Sequence, residues 1–125
     1  MIDILAVDDD PWIGRLIDKV LSGAGLSVET FLSAELAIAR LEEVSPRLII
    51  ADVHLPDGMN GFQFCRQVRE KWRLDVPILM LTSSGEYSDR VKGLQAGAVD
   101  YMIKPFDRDA LLRKIESLLD RRPDA

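Results

Sequence analysis

Leu48-Ile49-Ile50-Ala51 is an unbroken apolar run between Pro46 and Asp52, with Pro56 a few residues beyond. It is too short for a helix, and a strand that is apolar at every position has no face left for water. The run therefore predicts a strand buried on both faces, as in a parallel sheet covered by helices. Four further apolar-rich runs, Ile2 to Val7, Leu26 to Phe31, Val76 to Leu81 and Val99 to Ile103, predict four more strands. Amphipathic stretches follow each of them, which predicts an α/β chain with a doubly wound (βα)5 parallel sheet. Right-handed crossovers then place every strand's C-terminal end on one edge, where open α/β sheets bind ligands.

The stretches between strands carry helical spacing. Trp12, Ile13, Leu16, Ile17, Val20 and Leu21 predict one apolar face, opened by Pro11 with Asp9 or Asp10 as cap and closed by Gly23 and Gly25. Ser33 can cap a second helix with Ala34, Ala37, Ile38 and Leu41 inward. Phe62 to Trp72 predicts a third, with Cys65, Val68 and Trp72 on one face. Tyr87 to Ala96 is less amphipathic, with Val91 and Leu94 predicted inward and Gly93 and Gly97 weakening it. The last helix sets Leu111, Leu112, Ile115, Leu118 and Leu119 on one face.

Composition narrows the function classes. The chain has 125 residues and a formal charge of −5, with no basic stripe, so direct nucleic-acid binding is not expected. Arg121-Arg122 reads as a helix-end or linker feature. Cys65 is the sole cysteine, which precludes an intrachain disulfide and fits a reducing compartment. It reads as a small core residue, with no second cysteine to assist it and His54 the sole histidine. No stretch reaches the roughly 20 apolar residues that cross a bilayer, and no basic-then-apolar leader opens the chain, so a cytoplasmic protein with no membrane partner is expected.

Several strand ends carry chemistry. Asp8, Asp9 and Asp10 follow the first, Asp52 the third, Thr82 the fourth and Lys104 the fifth. Helix capping uses one or two carboxylates. Unit charges ~4 Å apart repel by about 4 kcal/mol at an effective dielectric near 20, so three consecutive acids invite a cation. Mg²⁺ takes one or two carboxylates plus phosphate oxygens, while a lysine and a hydroxyl can neutralise the rest of a phosphoryl group. Asp52, central among the strands, is the candidate nucleophile.

The motifs Ile4-Leu5-Ala6-Val7-Asp8-Asp9-Asp10, Asp52 with Leu55-Pro56 and Met59-Asn60-Gly61, Leu81-Thr82-Ser83, and Gly97 through Phe106 together resemble the receiver domains of two-component response regulators. The resemblance covers essentially the whole chain, with residues 1–122 as the receiver and 123–125 as a tail or the start of a linker. It implies a flavodoxin-like fold with strand order 2-1-3-4-5. It implies that Asp52 is phosphorylated from a histidine of a sensor kinase or phosphotransfer protein, using Mg²⁺ held by Asp8, Asp9, Asp52 and the backbone carbonyl of His54. Thr82 would be the switch hydroxyl, Tyr101 the aromatic that changes rotamer with it, Lys104 the phosphate-pairing lysine, and Lys104-Pro105 a cis bond. Output would pass to a downstream effector protein or a missing effector domain, and phosphorylation could drive homodimerisation. Mixed charges on Ser88 to Lys92 and the last helix suit a dimer or equally a solvated face.

One departure stands out. Asp57 and Gly58 both separate Pro56 from Met59, where the family usually has one residue, so the loop beside Asp52 is longer by one. His54 falls at a variable position, where its side chain either tunes access of hydrolytic water or contributes a carbonyl alone. Competing readings are a Mg²⁺-dependent aspartyl-phosphate phosphatase or phosphotransferase, a receiver used as an unphosphorylated scaffold, and a flavin mononucleotide module. The phosphatase would need a second carboxylate where His54 stands, and in the flavin module Asp8 to Asp10 would repel the cofactor's phosphate.

Overall fold

Every strand of the sheet is parallel, and the spatial order is β2-β1-β3-β4-β5. The strands are β1 (Ile4–Val7), β2 (Val28–Phe31), β3 (Leu48–Asp52), β4 (Ile78–Thr82) and β5 (Asp100–Ile103), alternating with α1 (Pro11–Gly23), α2 (Ala34–Leu41), α3 (Gly61–Lys71), α4 (Tyr87–Ala96) and α5 (Arg108–Asp120). This computed structural model describes residues 2–56, 58–71, 75–83 and 87–120, and only the backbone of Tyr87, Ser88 and Asp89. The expectations for Asp57, Trp72, Ser84-Gly85, Arg121-Arg122 and the 123–125 tail lie outside the described residues, as do those for the side chains of Ser88 and Asp89.

Successive strand residues point to opposite faces, and this divides the core in two. Leu5, Val7, Ile49, Ala51, Ile78 and Met80 pack beneath α2, α3 and α4, against residues such as Ala37, Phe64 and Val68. Ile4, Ala6, Leu48, Ile50, Leu79 and Leu81 pack beneath α1 and α5, against Ile17, Leu21, Leu111 and Ile115. Cys65 is buried in the first layer, as its apolar spacing predicts.

The register positions the functional edge. Val7 pairs with Ala51, so Asp8 and Asp52 leave their strands side by side. Asp52 pairs with Leu81 and Thr82 with Ile103, which advances the edge by one residue at β4 and brings Lys104 just beyond.

Element edges differ from the sequence expectations for local reasons. β1 starts at Ile4 because Asp3 is held by Ser27, whose carbonyl and hydroxyl both accept from the Asp3 N–H. β2 starts at Val28 because the Leu26 N–H donates to the Leu21 carbonyl and finishes α1. β4 starts after Pro77, which has no N–H to give to a ladder.

Among the described residues, Trp12 and Leu94 are expected inward but point out. Trp12 is 68% exposed, since α1 turns Gly14, Ile17, Val20 and Leu21 to the sheet, with Gly14 lying over Thr30. Leu94 is 56% exposed, and Gly93 and Ala96 take the inner face of α4 instead. There Gly93 lies over Met80, where a Cβ would stand 3.5 Å from Met80 Cγ.

These faces predict opposite responses to truncation. In urea unfolding, Ile17→Ala should cost about 2–5 kcal/mol and Trp12→Ala less than about 0.5 kcal/mol. A large loss for Trp12→Ala would contradict the assignment of the α1 face.

Candidate functional site

The three consecutive acids divide their work. The Asp8 N–H donates to the Phe31 carbonyl at 3.0 Å, which carries the β1–β2 pairing one residue past the strand and turns the buried Asp8 side chain into the edge. Asp8 Oδ1 accepts from the Asp10 N–H at 2.9 Å. Asp10 Oδ1 in turn accepts from the Trp12 N–H at 2.9 Å, so Asp10 caps α1 with Pro11 behind it. Asp9 is exposed. Asp8, Asp9 and Asp52 each present a carboxylate oxygen within 4.8 Å of the others.

Lys104 closes the cluster. Its Nζ stands 2.7 Å from Asp8 Oδ2 and 3.4 Å from Asp52 Oδ2. Its backbone is fixed by the Lys104 N–H, which donates to the Thr82 carbonyl at 2.7 Å, and the Lys104-Pro105 peptide that follows is cis. Burial would push the Lys104 ammonium down, but its close pairing with Asp8 and the charges of Asp52 and Asp8 outweigh this and hold it above its ordinary value. Burial, then the Asp8 charge, push the Asp52 carboxyl up, against the pull of Lys104 and of the His54 N–H. That N–H donates to Asp52 Oδ1 at 3.1 Å, while the His54 side chain is exposed.

One ammonium faces three carboxylates, so the cluster is short of positive charge. Asp8 Oδ2 is enclosed and receives no aligned hydrogen bond, although Lys104 stands beside it. An enclosed carboxylate oxygen with spare acceptor capacity, among hard oxygen donors, fits a divalent cation with oxygens at ~2 Å. These residues could therefore hold a metal ion.

Thr82 and Tyr101 lie one strand over. Thr82 is buried at the end of β4 and lines a narrow cleft with Val53, Met80, Arg90 and Tyr101. Tyr101 is half-buried, and the Arg90 guanidinium sits 4.3 Å from its ring centroid, a cation–π contact. The structure thus brings Asp8, Asp9, Asp52 and Lys104 into one cluster and sets Thr82 and Tyr101 in an adjoining cleft. His54 reaches Asp52 through its backbone.

Asn60 and Gly61 stand in a motif noted in the sequence, but their structural roles, and the residues Gln63 and Arg69, are not anticipated there. The Gly61 N–H donates to the Val53 carbonyl, and a Cβ at Gly61 would overlap the Asp52 carbonyl oxygen, so α3 can start against the end of β3 only on glycine. Asn60 and Gln63 cap α3 reciprocally, each side chain accepting from the other's N–H at 2.9 Å. That spacing is a readable capping signal. Arg69 donates to the carbonyls of Gly97 and Val76 and ties α3 to the end of α4. No local pattern announces that contact across 28 residues.

Comparison with known proteins gives a consistent match. The family model of the response regulator receiver domain matches residues 4–116. The phosphate regulon transcriptional regulatory protein PhoB of Rhizobium meliloti is 39% identical over 94% of this chain and 52% of its own length. The DNA-binding dual master transcriptional regulator RpaA of Synechocystis is 38% identical over 98% of this chain and 52% of its own. The chain thus spans about half the length of these curated relatives. Among solved structures, a response regulator of Chloroflexus aurantiacus superposes with a TM-score of 0.89 at 37% identity, covering 96% of this chain and 98% of that one. The chemotaxis protein CheY4 of Vibrio cholerae gives 0.89 at 34% identity, over 94% and 98%.

A buried carboxyl with a raised pKa is ionised at a cost in the folded state. That cost is absent below the unfolded value of 3.8 and complete above the raised value. Asp52→Asn should therefore raise the thermal midpoint by a few degrees at neutral pH in a chelator, and the gain should vanish below pH 3.8. Burial also pushes the Cys65 thiol up to about 11. At pH 8 its thiolate fraction is then about 10⁻³, and a disulfide reagent should modify the native protein at least about 100-fold more slowly than the unfolded chain.

Proposed function

The chain belongs to the response regulator receiver domain family, and on that premise we propose that Asp52 is its phosphoryl acceptor and Lys104 the residue that steadies the transferred group. The observation that carries the reading is Lys104 Nζ between Asp8 and Asp52, beside the carboxylate trio at the end of β3. An Asp52 carboxylate oxygen attacks phosphorus, the P–N bond of a phosphohistidine breaks, and the imidazole departs with the bonding pair and takes up a proton. The new bond is an acyl phosphate P–O bond, with no change in oxidation state.

The Lys104 ammonium pairs with one phosphoryl oxygen and the Thr82 hydroxyl donates to another. Asp8, Asp9 and Asp52, with the His54 carbonyl, would hold Mg²⁺, which neutralises phosphoryl charge when bound. Engagement of Thr82 draws Tyr101 inward, away from Arg90, and alters the surface of α4, β5 and α5 for a partner. In this reading the donor is a sensor histidine kinase or a histidine phosphotransfer protein. The receiver accounts for residues 1–122, and the output is a downstream effector protein, an effector domain beyond this chain, or a phosphorylation-driven homodimer. The protein works in the cytoplasm as a switch whose chemistry is confined to its own phosphorylation and dephosphorylation.

Intact mass after incubation with Mg²⁺ and phosphoramidate tests the assignment. Wild type should gain one phosphoryl group, Asp52→Ala none, and Lys104→Ala should react about 100-fold more slowly. Phosphorylation of Asp52→Ala at the wild-type rate would move the acceptor elsewhere. Steady turnover of phosphoesters would favour a phosphatase.

A further inference from the structure

The loop from Val53 to Asn60 is anchored at both ends on Asp52, by its carboxylate at the start and its backbone carbonyl at the end. At its start the His54 N–H donates to Asp52 Oδ1, and at its end Gly61 is pressed against the Asp52 carbonyl. It nevertheless carries one residue more than the family pattern, with Asp57 and Gly58 between Pro56 and Met59. With both ends held on Asp52, the added length has to be taken up between them, or it loosens the groups that orient the carboxylate.

Gly58 adopts φ +109, a left-handed conformation suited to glycine. The Met59 N–H directly after it donates to Glu35 Oε2 at 2.8 Å. Glu35 comes from the first turn of α2, 24 residues away in sequence. The two features interlock: a Cβ at Gly58 would stand 2.9 Å from the same Glu35 oxygen, so only glycine leaves the carboxylate in place. The Met59 side chain packs against the core layer under α2 and α3, which fixes the loop from the other side.

We propose that Glu35 is a positioning residue that clamps the lengthened loop to α2 through the Met59 N–H and thereby holds the His54 N–H on Asp52 for phosphoryl acceptance. The rate claim rests on the reading of Asp52 as acceptor. The contact itself does not. Glu35 lies outside the acidic cluster and touches no reacting atom, and its hydrogen bond needs an acceptor oxygen rather than a charge. A glutamine can therefore replace it, while an alanine cannot.

Three readouts on wild type, Glu35→Ala and Glu35→Gln decide the matter: amide hydrogen exchange at Met59, the phosphorylation rate with Mg²⁺ and phosphoramidate, and the thermal midpoint. In Glu35→Ala, Met59 exchange should rise about 10-fold and the phosphorylation rate fall about five-fold, with the midpoint within about 2 °C of wild type. Glu35→Gln should stay within about two-fold of wild type in both rates. An unchanged phosphorylation rate in Glu35→Ala overturns the positioning role, and so does a loss in Glu35→Gln equal to that in Glu35→Ala, which would mean charge rather than a clamp. Unchanged Met59 exchange overturns the clamp itself. A wild type that takes no phosphoryl group overturns the Asp52 reading and the rate claim with it, while the exchange result still decides whether Glu35 holds the loop.

Discussion

Two buried carboxylates share one ammonium at the end of the sheet, and the functional edge depends on that balance. Asp8 and Asp52 are 2% and 4% exposed, and two like charges so placed would be untenable without Lys104 between them. Asp9 adds a third carboxylate at the rim, so the ammonium leaves a net negative pocket. A cluster of this kind could hold a divalent cation by electrostatics already present in the protein.

The rest of the molecule keeps that cluster in place. Asp8, Asp52 and Thr82 are held by strand ladders or their direct extension, and Lys104 by a backbone bond to the neighbouring strand's last residue. Apolar layers on both faces of the sheet make those ladders stiff. The supporting contacts are different in kind. Gly61 under Asp52, Arg69 on Gly97 and Val76, and Glu35 on Met59 are side-chain or close-approach contacts that join one helix or loop to another. Interactions of this sort set the geometry and mobility of a switch while leaving its architecture unchanged.

Agreement and disagreement between sequence and structure divide along the same line. Strands were legible because burial on both faces leaves unbroken apolar runs, and α1, α2, α3 and α5 because their periodicity is strong. Trp12 and Leu94 were misplaced for a common reason. Helical spacing identifies an apolar stripe but not its margins, and a glycine can occupy the inner face when two elements approach closely, as Gly14 does at Thr30 and Gly93 at Met80. Strand starts were misjudged where backbone donors were already engaged, at Asp3 and Leu26, or missing, at Pro77.

The alternation of strands and helices, the carboxylates, hydroxyl and lysine at the strand ends, and the extra residue after Pro56 are all legible in the unfolded chain. Those properties follow from residue type and short-range spacing, which a chain carries before it folds. Tertiary structure alone decided which of Asp8, Asp9 and Asp10 enters the site and which caps α1, that Arg90 covers Tyr101, and that Glu35 reaches Met59. Such outcomes depend on the register of strands and the approach of helices. They join residues far apart in sequence whose meeting no local pattern records.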